Sequence, residues 1–505
     1  MSTQKSKREI TCDVLVVGVG PVGAAVAALI AQKGHSVVAV ERDLQLYPLP
    51  RAVGFDGDIM RIFQRMGLVD KIAPHVRFSP YYDFLSAEGE TLLSYDRSTG
   101  RHPSGWLPNV TFYQPAIEEA LREQIEVSPA GTLLLGYTFR SLTQDESGVS
   151  AEFQRNDETI NVRCKYLVGC DGARSQVRAE LGVELEDFGF DEPWLVVDFL
   201  ADDLSGLPDR NVQICDPQRP ATYMQMGPGR YRWEFMVLPD DDPAALKDEQ
   251  FVRTLLSNCG VTRNDPIERL ALYRFHGLIA KQWKKGRVLL AGDSAHQMPP
   301  FAGQGFCSGL RDAFALAWRI DLVLAGRASE PLLASYEEER KPQVEFMINS
   351  SIRLGQIVCT TDVERATARD TLMLAERKAG SVPPPPMSYP PLESGFFIAD
   401  QPGAGQLFPQ PTREDGAKSL RFDDLSDGRP TLISRHFSQL AALGSIEDIW
   451  LSAVDRPELE PFRQQLEAWL EAHGAEAVLI RPDFYVFATG SPSTLLDSYR
   501  KTVAP

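Results

Sequence analysis

The sequence predicts an α/β protein in which a parallel sheet is interrupted by an inserted antiparallel sheet and followed by a separate C-terminal unit. Three observations predict it. A strand, a glycine turn, a helix and a second strand follow one another within residues 13–41. Two further apolar strands in mid-chain stop at Gly/Asp turns. The segment between those two strands is rich in aromatic residues set in short alternating runs, the pattern of a half-buried antiparallel sheet.

In order along the chain, residues 13–17 (DVLVV) form a short buried strand, 18–23 a glycine turn, 24–32 a helix, and 35–40 a second strand ending at Glu41. That is a βαβ unit. Residues 165–170 read as another buried strand stopping at Asp171-Gly172, and 287–291 as a third stopping at Gly292-Asp293. Between them, 188–274 includes the alternating run Tyr231-Arg-Trp-Glu-Phe-Met236, which predicts the inserted sheet. A long helix is expected from Gly305 through Ala325, and another around 331–354. The proline-rich stretch 382–391 cannot continue a helix and marks a boundary. Beyond it, residues 429–434, an amphipathic stretch at 458–473, and the strand-like run 477–480 followed by 481–488 predict a small α/β unit. The expected division is 1–187 and 281–380 for the two parts of the first domain, 188–280 for the inserted sheet, and 395–505 for the last domain.

With 505 residues, 43% of them apolar, the chain is long enough for several domains. Its formal net charge of −17 opposes attraction to phosphate backbones and anionic lipid, so neither nucleic acid nor membrane is an expected partner. Seven cysteines without CxxC pairs read as reduced thiols, and no metal site is expected. The apolar run 14–31 is broken by three glycines and a proline, unlike a signal peptide or membrane span. A soluble, cytoplasmic protein is expected.

The chemistry begins at Gly18-Val-Gly20-Pro21-Val22-Gly23, a GxGxxG turn between strand and helix. Gly18 permits the tight turn, Gly20 lets backbone approach a pyrophosphate, and Gly23 lets helix and strand pack closely. Glu41, followed by Arg42, stands where a ribose hydroxyl is received. The motif predicts a dinucleotide and does not separate FAD from NAD.

Cys170-Asp171-Gly172-Ala-Arg174 and Gly292-Asp293, followed by Pro300-Phe-Ala-Gly303-Gln304-Gly305-Phe306, resemble the FAD-dependent aromatic hydroxylases of the para-hydroxybenzoate and phenol hydroxylase type. The resemblance implies a Rossmann-like FAD-binding domain, an inserted substrate-binding sheet and a thioredoxin-like C-terminal domain, which here lacks CxxC and hence dithiol chemistry. It implies FAD with NADPH or NADH as cofactors. Gly292 and Asp293 would bind the ribityl and phosphate region, and Asp171, Gly172 and Arg174 would serve FAD and the nicotinamide. The turn 300–306 would hold negative charge near flavin N1 and the C2 carbonyl. Arg51 would lie along the cofactor and Gln114 would touch the flavin. Cys307 stands where the family commonly has Asn.

The middle-sheet segments 196–198, 215–220, 232–236 and 308–318 are most similar to 3-(3-hydroxyphenyl)propionate hydroxylases. The implied reaction is hydroxylation of a small phenol with NAD(P)H and O₂ through a flavin C4a-hydroperoxide, in a homodimer. A tailoring hydroxylase of a larger, polyketide-type aromatic, or a flavin-dependent reductase or halogenase, is the alternative; the WxWxIP motif of such halogenases is absent. Asp56 resembles in position an active-site aspartate of phenol hydroxylase, which would make it the base, with Tyr223 next; an Asp before Gly57 also reads as a turn or cap residue. His296 reads as structural. Tyr223, Met224, Met226 and Arg232 either line the pocket or fill the sheet's core, and Arg219 meets either an acidic substrate tail or Asp216.

Overall fold

The computed structural model describes residues 8–99, 102–381, 389–415, 418–441, 443–444 and 446–503. β1 (Arg8–Val17), α1 (Pro21–Gln32) and β2 (Val37–Glu41) form the first βαβ unit. Strand Gly131–Leu135 pairs outside β2, while Glu158–Gly169 and then Val288–Leu290 lie on the far side of β1, all parallel. Numbered along the chain, the five strands stand in the order 3-2-1-4-5. The winding therefore reverses between β1 and Glu158–Gly169, and such a switch point opens a crevice at the strands' carboxyl ends. Val17 is in register with Gly169, and Gly169 with Leu290. This register brings together the three glycine and Gly/Asp turns that are far apart in sequence.

The centre of this layer is dry. Residues 14–16 of β1 are fully buried, and α1 buries every residue from Gly23 to Ala31. Small alanines let α1 seat between the sheet and the long helix Gly305–Leu324.

The second sheet runs His296–Gln297, Ile267–Ala280, Leu185–Leu200, Arg230–Met236, Ala221–Gln225, Asn211–Ile214, Tyr81–Leu85, Thr91–Asp96. Two of its strands, 81–85 and 91–96, come from well before the expected 188–280 segment. Strand alternation splits its side chains between two faces. Tyr223, Tyr231, Trp233 and Phe235 pack with helix Glu249–Asn258 in a separate apolar core. Thr222, Met224, Arg232 and Glu234 occupy the other face, which looks onto the carboxyl edge of the parallel sheet.

The C-terminal sheet has four strands, Trp450–Ala453, Thr431–Ser434, Ala477–Ile480 and Val486–Gly490, in spatial order 2-1-3-4; the first pair is parallel and the rest antiparallel. It docks on helices Gly305–Leu324 and Pro331–Val358 through a buried ionic cluster. Arg481 reaches Glu339 at 2.7 Å and Asp483 at 2.5 Å, Arg319 shares Glu339, and all four are at most 4% exposed. Of the proline-rich boundary, residues 382–388 lie outside the described residues. Among the described residues no helix is long and apolar enough to cross a membrane.

Candidate active site

A cleft of about 410 Å³ separates the carboxyl edge of the parallel sheet from the polar face of the second sheet. Gly20, Pro21, Val22, Arg51, Gln114, Gly172, Asp293, Pro300 and residues 303–306 line one side. Gly18 turns at φ +90°, and a Cβ there would sit 2.5 Å from the Cys170 carbonyl oxygen. A Cβ on Gly23 would lie 1.9 Å from the Gly18 oxygen, so this glycine is demanded by helix–strand contact. Gly20 is different: a Cβ there meets no protein atom within 4 Å.

Asp293 opens into the cleft without a hydrogen-bond partner among the described residues, and the surrounding walls push its carboxyl upward against the charges of His296 and Arg51. Gly303, left-handed at φ +64°, ends the turn 300–302, and helix Gly305–Leu324 starts after Gln304 with no side-chain cap. Its first N–H groups therefore face the cleft with the positive end of the helix dipole. The Gln304 Oε1 is buried without a partner.

Other expected contacts serve the frame. Glu41 Oε2 accepts from the Val19 N–H at 2.7 Å, which fixes the glycine turn. Gln114 Oε1 accepts from the backbone N–H groups of Arg51 and Ala52 at 2.9 and 2.7 Å and so holds the loop along the cleft rim. Asp171 caps the helix at Gln176–Glu180, accepting from Ser175 Oγ and two backbone N–H groups. Gly292 is left-handed, and a Cβ there would lie 2.9 Å from Val22 Cγ2. Arg42 and Arg174 are exposed and do not line the cleft. His296 is buried with Nε2 2.6 Å from Asp312. Arg219 pairs with Asp241, at 2.5 and 2.8 Å, in place of Asp216 or a ligand.

Neither of the two expected bases lines the cleft, and Asp56 takes the alternative cap role. Asp56 does not line the cleft; it caps helix Gly57–Arg65, accepting from the Asp58 and Ile59 N–H groups, and both its oxygens take Arg311 Nη2 at 2.9 and 3.0 Å. Burial works to raise its pKa, but Arg311, His102 and a hydrogen bond from Gln304 outweigh burial and hold it below the usual range. A carboxylate so engaged is a poor proton acceptor. Tyr223 lies on the wrong face of its strand: its ring packs 5.2 Å from Trp233, away from the cleft that its neighbours Thr222 and Met224 line. Met226 is likewise buried and off the cleft.

The sheet wall presents groups that sequence reasoning missed. Thr222 Oγ1 donates to Gln213 at 2.6 Å, Gln213 Nε2 to the Tyr82 hydroxyl at 3.0 Å, and Tyr82 to the Phe301 carbonyl at 2.7 Å, tying the wall to the 300–303 turn. Glu234 lies beside Thr222 and Val196 in register. Burial raises its pKa, against Arg232 and Arg269. Among the described residues, Glu234 and Asp293 are the carboxyl residues lining the cleft. Parity along Arg232-Trp-Glu234 was the available signal, since Trp233 is the residue that belongs in the apolar core.

A family described as "FAD binding domain" matches residues 11–351. The chain is 36% identical over 493 residues to a probable NADH-specific resorcinol 4-hydroxylase of Rhodococcus jostii, covering 94% of this chain and 91% of that protein. The chain belongs to the FAD-dependent aromatic hydroxylases. It is also 32% identical to a 3-(3-hydroxy-phenyl)propionate/3-hydroxycinnamic acid hydroxylase of Mycolicibacterium smegmatis, with 93% and 89% covered. In fold it is similar to the flavin-dependent monooxygenase PieE, with TM-score 0.82, 22% identity and 98% of each chain covered. Aklavinone-11 hydroxylase gives TM-score 0.79 at 24% identity, with 98% and 99% covered.

The cleft of this hydroxylase fits FAD. The space above Gly20 suits a pyrophosphate, which would also meet the N-terminus of α1. The unpartnered Asp293, the orphaned Gln304 oxygen and the uncapped helix at Gly305 offer hydrogen bonds to the rest of an extended cofactor.

Proposed function

We propose that the chain hydroxylates a small phenolic ring with NADH or NADPH and O₂, holding the ring between the flavin end of the cleft and the wall of the second sheet. One observation carries this reading: a single cleft joins the glycine turn, Asp293 and the helix start at Gly305 to the wall that carries Thr222, Gln213, Tyr82 and Glu234. Bound FAD supplies hydride acceptance and oxygen activation; the chain supplies position and proton handling.

In this reading Gly20 and α1 take the pyrophosphate, Asp293 the middle of the cofactor, and the first N–H groups of helix Gly305–Leu324 stabilise negative charge on the ring system. Arg51 borders the rim and Gly172 the far edge. The Thr222–Gln213–Tyr82 chain fixes the 300–303 turn against the wall, so ring and cofactor keep a constant separation. Val196, Met224, Phe275 and Phe301 enclose the ring. Glu234 accepts the proton of the ring hydroxyl, because burial raises its carboxyl whereas Arg311 holds that of Asp56 down.

The resorcinol and hydroxyphenylpropionate relatives favour a small phenol over a polycyclic substrate, since they are the more similar in sequence. The strand order of residues 431–490 supports a thioredoxin-like C-terminal domain, and residues 188–280 are assigned to the substrate sheet with strands borrowed from 81–96. Seven free cysteines support a reducing, cytoplasmic setting, and a homodimer is assigned on family resemblance. The test is to add resorcinol and 3-(3-hydroxyphenyl)propionate to the flavin-loaded chain and follow NADH loss, O₂ uptake and product mass. Substrate-stimulated uptake with a gain of one oxygen supports the proposal; NADH loss indifferent to every phenol contradicts it.

A further inference from the structure

We infer that Arg97 is the anion-binding residue of the substrate pocket, receiving a negatively charged oxygen carried by the aromatic substrate; the inference rests on the phenol-hydroxylase reading above. Among the described residues four arginines line the cleft. Two are held by protein partners. Arg232 is held by Asp198 at 2.6 and 3.0 Å and by the carbonyls of Arg51 and Pro50, and Arg269 by the Pro50 carbonyl and the Tyr273 hydroxyl. Arg51 is exposed at the cofactor end, its guanidinium 5.2 Å from the Tyr47 ring centre.

Arg97, one residue past strand Thr91–Asp96, differs from all three. Its Nε is shut off from solvent without a hydrogen-bond partner, as is that of Arg269; unlike Arg269, its guanidinium makes no hydrogen bond or ion pair among the described residues. Arginine keeps its charge even when desolvated. A buried donor left without an acceptor is costly, so the fork stands ready for a ligand.

Asp56 is the carboxylate whose charge reaches Arg97, and it makes no hydrogen bond to it. Burial raises the hydroxyls of Tyr82 and Tyr95, which stay neutral, and Asp56 is already clamped by Arg311. The Tyr82 and Tyr95 rings, 6.2 Å apart and stacked, flank the position with aromatic surface. A planar fork beside aromatic rings is matched by an aromatic compound carrying anionic oxygen. A side-chain carboxylate and a ring phenolate share that chemistry.

The test uses the flavin-loaded chain. Its flavin absorbance is titrated with 3-(3-hydroxyphenyl)propionate, the neutral 3-propylphenol and resorcinol, for the parent, Arg97→Met and Arg97→Lys. Arg97→Met should weaken the propionate compound by about 10- to 100-fold, the worth of a charge-assisted pair, and 3-propylphenol by less than about 3-fold at neutral pH. Arg97→Lys should retain part of the affinity, since the charge survives and the fork does not. Selective loss of the propionate compound identifies a carboxylate. A loss that appears for all three compounds only once pH is high enough to ionise the phenol identifies a phenolate, and either supports the proposal. Equal loss for charged and neutral compounds at neutral pH, unchanged affinity for all, or an Arg97→Met protein that no longer holds FAD would overturn it. If the parent itself neither binds a phenol nor oxidises NADH faster in its presence, the parent reading has failed instead.

Discussion

Gly20 and Gly23 stand three residues apart in one turn, and they should fail in opposite ways. A methyl at Gly23 would lie 1.9 Å from the Gly18 oxygen and 3.0 Å from Cys170 Cβ. Ordinary contact would require α1 to withdraw by about 1.5 Å from the sheet it is packed on. Overpacking of this kind costs about 1–3 kcal/mol, and a clash with backbone belongs at the upper end. A side chain at Gly20 meets no protein atom within 4 Å, and its φ of −71° suits any residue. Gly20→Val should therefore leave the apo fold within about 0.5 kcal/mol of the parent, while placing a branched side chain where the pyrophosphate approaches. Bound FAD stabilises the parent by about 2.7 kcal/mol at a hundredfold excess over its dissociation constant, and the Val variant should lose that increment. The assay is flavin content per chain together with thermal unfolding, with and without added FAD. Gly23→Ala should melt lower in both conditions. Gly20→Val should melt with the apo parent and ignore FAD. A flavin-loaded Gly20→Val, or a Gly23→Ala as stable as its parent, would refute the reasoning.

Further outcomes follow from the same geometry. Asp293→Ala removes an unpartnered carboxyl from the cleft and should lower FAD occupancy without lowering the apo melting temperature. Asp56→Asn keeps the helix cap but weakens the hold on Arg311, so it should cost about 1–3 kcal/mol of stability; rapid-mixing traces should show the hydroxylation step within about 3-fold of the parent, whereas Glu234→Gln should slow it by about 100-fold or more. Arg481→Met leaves Glu339 and Asp483 short of a partner in a dry interface and should destabilise by about 3–5 kcal/mol, read by denaturant unfolding. Burial raises both carboxyls, but the charges of Arg319 and Arg481 outweigh it and depress their folded pKa values. Their contribution is thus full above the ordinary carboxylate range near ~4 and is lost as pH falls below it, so acid titration should loosen the C-terminal unit.

The parts legible in the sequence are those written in backbone conformation and parity. Gly18 needs its positive φ, and Gly23 needs the absence of a Cβ, so the turn announces itself from residue types alone. The helix from Gly305 was expected through Ala325 and ends at Leu324. For the run at 481–488 the sequence assigns no element; it holds a turn at Phe484, with φ +72°, and the start of strand Val486–Gly490. Long-range partnerships stayed hidden because no local pattern encodes them. Asp56 meets Arg311 across 255 residues, and Arg481 meets Glu339 across 142. Strands 81–85 and 91–96 join a sheet whose other members begin near residue 185, a pairing set by tertiary packing. Tyr223 was misplaced for a simpler reason: its neighbours on either side face the cleft, and a strand can present only every second residue to one surface.

The most direct test of the central claim follows one oxygen atom. The flavin-loaded chain is supplied with NADH, a phenol that stimulates NADH loss, and heavy-isotope dioxygen in ordinary water, and the product is weighed by mass spectrometry. One heavy oxygen on the ring for each coupled NADH consumed is the predicted result. A product carrying oxygen from water, or a flavin that cycles with NADH while every phenol emerges unchanged, would contradict it.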